Sequence, residues 1–344
     1  MAHHHQQSAA AVIGLGSYLP PHRITNDDLA TRLETSDEWI TSRTGIRARH
    51  WAPPGTSTSD LAVEAGHRAL KSAGLYPEPG AVDAVVLATT TPDHPCPATA
   101  PEVAARLQLG TAAAYDIAGV CSGFLYALAT ASAQIIAGQA ERILVIGAET
   151  YSTILNPTDR TTSVIFGDGA GAVVLSATRN PEQPGVLLGV DLGADGSQAD
   201  LIRIPAGGSR QRANPDDPEL GDPYFTMQGK KVFAAAVTRM QHSAISLLDR
   251  IGWTTDQVDH LVGHQANIRI LKTLARHLDI PEDRAVINID QVGNTSAASI
   301  PLALADATAS GRLTAGSRVL LTAFGGGLTW GSVALTWPDG LTVG

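Results

Sequence analysis

Apolar residues in this chain fall into two kinds of stretch. Short unbroken runs, such as Val82-Asp83-Ala84-Val85-Val86-Leu87 and Arg142-Ile143-Leu144-Val145-Ile146, alternate with longer segments in which apolar positions recur every three to four residues. The short runs predict strands covered on both faces, because a strand with one wet face would alternate polar and apolar residues. The longer segments predict helices over 58–73, 98–108, 122–137, 231–251 and 266–278. Strands and helices in this order imply an α/β protein whose mixed sheets carry helices on both faces.

The plan occurs twice. Val82-Asp83-Ala84-Val85-Val86-Leu87 resembles Val258-Asp259-His260-Leu261-Val262-Gly263, and Arg142-Ile143-Leu144-Val145-Ile146 resembles Arg318-Val319-Leu320-Leu321-Thr322. Both offsets are 176 (259−83 and 318−142), and the same offset lays Tyr126-Ala127-Leu128-Ala129 on Leu302-Ala303-Leu304-Ala305. Each half closes in a Gly-rich strand pair, Phe166 to Leu175 and Phe324 to Leu335. There the offset falls to 160 (331−171), so the first half carries about sixteen extra residues within 151–165. The expected halves are 9–180 and 181–344, stacked through helices at a shared centre, with 1–8 a tail or tag remnant. The Pro/Gly/Asp-rich stretch 177–223 reads as long surface loops.

Composition narrows the classes. The chain has 344 residues, 44% hydrophobic and 17% charged, which suits a well-buried globular protein. Its apolar runs are far shorter than the roughly 20 residues of a membrane span, and the N-terminus lacks the basic and apolar order of a signal peptide. A net charge of −9 argues against a general affinity for nucleic acid. Two cysteines make no disulfide framework, and no Cys/His cluster has zinc-ligand spacing, so no metal and a cytoplasmic location are expected.

The chemistry gathers in three motifs: Val120-Cys121-Ser122-Gly123-Phe124, Gly263-His264-Gln265-Ala266-Asn267 and Gly293-Asn294-Thr295-Ser296-Ala297-Ala298-Ser299. Cys121 opens an apolar helical run, and unpaired N–H groups at a helix start favour thiolate. His264 and Asn294 are side chains suited to steady a negative oxygen beside it. Together they suggest acyl transfer through a thioester. The basic positions Arg269, Lys272 and Arg276 share one helix face, with Ile270, Leu271, Leu274 and Leu278 opposite. A local basic face of this kind fits an acidic partner, and equally a solvated helix surface.

These motifs, with Gly14-Leu15-Gly16-Ser17-Tyr18-Leu19-Pro20, Thr35-Ser36-Asp37-Glu38-Trp39-Ile40, Arg43-Thr44-Gly45-Ile46-Arg47, Asp159-Arg160 and Phe166-Gly167-Asp168-Gly169-Ala170-Gly171, resemble the β-ketoacyl-acyl-carrier-protein synthase III family of the thiolase superfamily, including its polyketide-priming relatives. The likeness spans nearly the whole chain. It implies a duplicated five-layer fold of helix, sheet, helix, sheet, helix. It also implies a decarboxylating condensation of an acyl-CoA primer with malonyl-acyl-carrier protein, without a resident cofactor because acyl-CoA is a substrate. By resemblance, Cys121 is the nucleophile, its amide and Gly326 form the oxyanion hole, and His264 and Asn294 handle the malonyl group. Trp39 and Arg160 would sandwich the CoA adenine with Thr35 and Arg43 alongside, and Asn267 would be structural. The carrier protein would dock on Arg269, Lys272, Arg276, Lys230 and Lys231.

Two departures stand out. Ala234 replaces an expected basic residue. In Thr91-Pro92-Asp93-His94-Pro95-Cys96-Pro97, Cys96 stands where a bulky Phe often crosses a homodimer interface to close the partner's acyl pocket, which Phe324 also lines. A smaller residue there implies room for longer or branched primers. The alternatives are an acyltransferase on the same scaffold that omits condensation and a non-catalytic partner subunit. Cys121 argues against the second, and the lack of a second cysteine near Gly325-Gly326-Gly327 argues against a thiolase.

Overall fold

The structure is a computed structural model that describes residues 8–343; all but Ser8 of the expected tail 1–8 lies outside the described residues. Nine strands build two main sheets. The first sheet uses β1 (Ala9–Tyr18), β2 (Ala84–Ala88), β3 (Ala113–Ile117), β4 (Arg142–Glu149) and β5 (Gly169–Thr178), in the spatial order β1-β5-β4-β2-β3. The second uses β6 (Leu187–Ala194), β7 (His260–Gly263), β8 (Arg318–Gly325) and β9 (Thr329–Thr336), in the order β6-β9-β8-β7.

The duplication is visible in the register. Ala84 pairs with Ile143 in the parallel β2–β4 ladder, and His260 pairs with Val319 in the parallel β7–β8 ladder, so both partners shift by 176 (260−84 and 319−143). In the antiparallel ladders Arg142 meets Ser176 and Arg318 meets Thr336, and that second partner shifts by 160 (336−176). The sixteen-residue difference lies between β4 and β5, where 150–168 form a short 3-10 turn and a loop; β8 and β9 are joined by a tight hairpin instead. Only the first sheet extends to a further parallel strand, β3.

Among the described residues seven helices are seven or more residues long: α1 (Asp37–Thr44), α2 (Thr58–Ser72), α3 (Ala100–Arg106), α4 (Gly123–Ile136), α5 (Gly229–Ile251), α6 (Ile268–His277) and α7 (Ser299–Ala309). Helix α2 starts at a reciprocal cap, Ser57 with Asp60, and buries Leu61, Ala62, Ala65, Ala69 and Leu70. It lies so close on β1 that a Cβ at Gly16 would stand 2.3 Å from the Ala65 carbonyl oxygen. Helices α4 and α7 are rich in Ala and Leu because most of their surface is buried. They pack between the sheets, where Phe124, Leu128, Ile300 and Leu304 join Val86, Val145, Leu321 and Val333 in one core. Helices α5 and α6 cover the far side of the second sheet over Met240, Leu247, Leu274 and Leu320. The layers therefore run helix, sheet, helix, sheet, helix.

One expectation needs correction. The stretch 177–223 is not loop throughout, since it contains the eight-residue strand β6, paired antiparallel with β9 from Ala194 against Thr329 to Leu187 against Leu335. It is the second-half counterpart of β1. Gly189 and Gly193 interrupt the apolar pattern, and an edge strand leaves Leu188 and Leu192 partly exposed, which disguised it as loop.

Candidate active site

Cys121 sits in the 3-10 turn Val120–Ser122, immediately before α4. Val120 holds a φ of +46°, costly for a β-branched residue, and this sharp turn presents Cys121 at the helix start. The turn is clamped from the other half of the molecule. The Ser122 hydroxyl bonds to the Gly119 carbonyl at 2.9 Å and to Thr329 Oγ1 at 2.8 Å, and Thr329 in turn donates to Gly326 O at 3.0 Å. A Cβ at Gly325 would lie 2.8 Å from the Cys121 nitrogen and 3.0 Å from the Ser122 nitrogen, so only glycine lets the β8–β9 hairpin approach. The Gly325 backbone thus lies against the Cys121 and Ser122 amides. Burial pushes the Cys121 thiol up to about 12, in the direction opposite to the pull of the helix start toward thiolate. The resting group is a thiol, and its proton must go somewhere during attack.

His264 follows β7. Its N–H donates to Thr322 O at 2.8 Å, and its Nδ1 lies 2.6 Å from Ser299 Oγ. Burial holds its pKa down to about 3, so the ring is neutral. With Ser299 donating to Nδ1, the ring proton stays on Nε2 and becomes a donor toward the cavity. The next residue, Gln265, braces this loop by donating to Gly263 O and Val286 O and accepting from the Asn288 and Ile289 amides. Asn294 is fixed through its backbone to Ile165 and Gly167. Its Oδ1 accepts the Ser296 N–H at 2.9 Å, which leaves its NH2 as the free end. Cys121, His264 and Asn294 line one narrow recess whose other walls are apolar, including Phe166, Phe225, Val232, Met240 and Phe324.

Residues 115–196 match the family described as 3-oxoacyl-[acyl-carrier-protein (ACP)] synthase III, and residues 248–337 match its C-terminal part. The chain is 63% identical to β-ketoacyl-[acyl-carrier-protein] synthase III 5 of Streptomyces coelicolor, over 96% of this chain and 98% of that protein. It is 53% identical to the β-ketoacyl-[acyl-carrier-protein] synthase III of Pseudomonas aeruginosa, over 96% and 97%. The chain belongs to the synthase III family. The crystal structure of 3-oxoacyl-(acyl carrier protein) synthase III from Pseudomonas aeruginosa matches with a TM-score of 0.89 at 52% identity, covering 96% of this chain and 99% of that one. A priming β-ketosynthase from a polyketide biosynthetic pathway matches with a TM-score of 0.88 at 33% identity, covering 96% and 97%. The five layers are those of the thiolase-like fold.

From the recess of this synthase III chain a wider chamber leads outward, sharing Met227, Val232, Ala266, Ile270 and Asn294 with it and ending at Trp39, Arg43 and Lys230. Trp39 lies on α1, with the Arg43 guanidinium 4.5 Å and the Arg160 guanidinium 5.3 Å from its ring centroid. Both guanidinium groups of the expected CoA set therefore lie against the Trp39 ring, Arg43 the nearer of the two. Arg160 also donates to Glu34 O at 2.6 Å, and Thr35 Oγ1 is buried with no partner among the described residues. Asn267 caps α6 by accepting from Arg269 N and ties it to α1 through the Arg43 carbonyl at 3.0 Å.

The α6 stripe is exposed but partly spoken for. Arg269 donates to Ser42 O at 2.6 Å, and Glu282 stands 3.3 Å from Lys272 and 3.8 Å from Arg276. Lys230 and Lys231 are both exposed, and Lys230 also lines the chamber. Cys96 is exposed on the loop between β2 and α3 and lines neither cavity of the single chain, so its pocket role requires a second copy. Sequence reasoning assigned no role to Ser299, Ser296, Thr329 or Glu149. The first two lay inside a motif already singled out; Glu149, buried at the end of an apolar strand, was the one unexplained charge in such a run.

Proposed function

We propose that this chain is a β-ketoacyl-acyl-carrier-protein synthase that loads an acyl group from acyl-CoA onto Cys121 and condenses it with malonyl-acyl-carrier protein, releasing carbon dioxide. The observation that carries this reading is the convergence of a buried thiol, a neutral imidazole and an oriented amide in one apolar-walled recess at the foot of a chamber. In the first half-reaction the developing oxyanion lies against the Cys121 and Gly326 amides. In the second, decarboxylation leaves an enolate. His264 Nε2–H and the Asn294 NH2 are neutral donors, so they stabilise its charge without first neutralising the carboxylate whose loss creates it. CoA is the leaving group, and the proposed steps use no metal and no resident cofactor. Among the described residues no cluster of His, Cys, Asp and Glu is of a kind that could hold a metal ion, and no helix is long and apolar enough to cross a membrane.

The same proposal has the enzyme working in the cytoplasm as a homodimer, the dimer being supported by the unpaired edge of β3. Initiation of a fatty-acid or a polyketide chain is consistent with it. The test is to incubate the protein with a panel of acyl-CoAs and malonyl-carrier protein and to measure both carbon dioxide and β-ketoacyl-carrier protein. Their equal appearance is expected. Acyl transfer to the carrier without carbon dioxide would instead assign the chain to the non-condensing acyltransferases.

A further inference from the structure

We propose that Arg49 is a positioning residue for condensation, holding the backbone that aims the Asn294 amide into the recess. This deepens the proposed function and rests on it, because Asn294 matters here as a donor to the enolate.

Arg49 lies on the strand Ala48–Trp51, which pairs antiparallel with His22–Thr25 outside the two main sheets. Its side chain is fully buried, yet it takes part in no ion pair among the described residues. Burial lowers its pKa to about 10, so the guanidinium is charged at neutral pH. A buried cation with no carboxylate is expensive, and a hydrophobic residue of similar volume would avoid that cost. What the guanidinium touches gives the reason for it. Nη2 donates to Val164 O at 2.5 Å, the only donor that reaches this carbonyl among the described residues. Nη1 donates to Asn26 Oδ1 at 2.7 Å and more weakly to Ile24 O at 3.4 Å. Asn26 is a fixed post, since its NH2 donates to Asp37 Oδ1 and to Ile46 O, each at 2.8 Å. Nε meets no acceptor, so the fork makes these contacts alone.

Val164 opens the segment that holds Asn294. The Asn294 N–H donates to Ile165 O and its carbonyl accepts from Gly167 N, both at 2.9 Å, so Phe166 and Asn294 form a parallel bridge between the two halves. The stem of Arg49 lies against that bridge. A Cβ at Gly167 and one at Gly293 would each stand 3.0 Å from Arg49 Cβ, so two glycines let the bridge settle on it. With Asn294 Oδ1 taken by the Ser296 N–H at 2.9 Å, the direction of its NH2 follows from where this backbone lies. A charge-assisted bond to Val164 O is shorter and stronger than one from a neutral donor, which suits a segment whose placement decides a rate. Loading, as proposed, uses the Cys121 and Gly326 amides, which this segment does not carry. The two half-reactions should therefore respond differently to Arg49.

The test compares wild type with Arg49→Met, which keeps the stem and removes the fork, and Arg49→Lys, which keeps the charge on a single donor point. Single-turnover loading is read by intact mass. Condensation is read by carbon dioxide release from pre-acylated enzyme at saturating malonyl-carrier protein, with melting temperatures as the check on folding. Arg49→Met should load at close to the wild-type rate and condense about 10²-fold more slowly, the cost of misplacing a group by roughly 1 Å, with Arg49→Lys between the two. A further arm repeats the exchange in an Asn294→Ala background. If Arg49 acts through Asn294, the double variant condenses no more slowly than Asn294→Ala alone, whereas a general loosening of the fold multiplies the two losses. Equal loss of both half-reactions, unchanged condensation, or multiplied losses in the double variant overturns the inference. Should Arg49→Met not fold, the same comparison with Arg49→Lys decides by the same criteria. A wild type that releases no carbon dioxide refutes the proposed function and this inference with it, a result separable from every outcome among the variants.

Discussion

His264 and Asn294 were legible as donors from residue type and motif, but not the partners that make them donors. Ser299 follows Asn294 by five residues, and only the fold turns it onto His264 Nδ1. Replacing Ser299 with Ala should leave acyl loading intact and slow condensation roughly tenfold, the worth of one hydrogen bond of about 1.4 kcal/mol. His264→Ala and Asn294→Ala should each lose condensation by about 10² to 10³-fold while retaining loading, as for removal of an oxyanion donor; equal loss of both half-reactions, read by intact mass and carbon dioxide release, would contradict the division of labour. Burial also ties these residues to stability. His264 has its pKa lowered to about 3, so the unfolded chain takes up the proton first. Its contribution is complete above 6.5 and is lost as pH falls from there toward 3. Glu149 is raised to about 7, so its contribution is complete below 4.5 and is lost as pH rises through 7. Denaturation midpoints measured across pH should show a shallower acid limb in His264→Gln and a flattened decline between 4.5 and 7 in Glu149→Gln.

Among the elements, the helices announced themselves because each has a polar face or a long apolar period, and all five expected segments are helical within a few residues. Strand β6 did not, since Gly189 and Gly193 break its apolar pattern and one flank has no neighbour. The turn at Val120 was equally hidden, because no side-chain pattern encodes a positive φ at a valine. What the sequence did carry was its counterpart, the Gly325-Gly326-Gly327 run. Gly325→Ala would push a methyl against the Cys121 and Ser122 nitrogens, so it should slow loading of acyl-CoA strongly and lower the melting temperature, consistent with a destabilisation of about 1–3 kcal/mol. Loading at the wild-type rate would mean that the hairpin does not set the position of the Cys121 amide.

For the whole molecule, two numbers read from the sequence, the offsets 176 and 160, reappear as ladder registers, because each half must bury the same faces against the same central helices. The surface was less legible, since a charge is read one residue at a time while its partners come from elsewhere. Glu282 draws on both Lys272 and Arg276, which spacing along α6 does not reveal. If that stripe receives an acidic carrier protein, Glu282→Gln should lower the apparent KM for malonyl-carrier protein about two- to threefold, within the 0.2–1 kcal/mol typical of exposed pairs, and added salt should erase the gain. Reversing Arg269 and Lys272 should raise that KM without changing loading from acyl-CoA. Cys96→Phe should keep acetyl-CoA loading and lose primers of four or more carbons, each buried methylene being worth about 0.8 kcal/mol. An unchanged chain-length profile, or a monomer by light scattering, would remove Cys96 from the pocket.

The measurement that bears most directly on the whole account is intact-protein mass spectrometry after brief incubation with acyl-CoA, followed by peptide mapping. One acyl group on wild type, located on Cys121 and absent from Cys121→Ala, is the expected result. An adduct on Cys96, or an unmodified wild-type chain across the acyl-CoA panel, would contradict it.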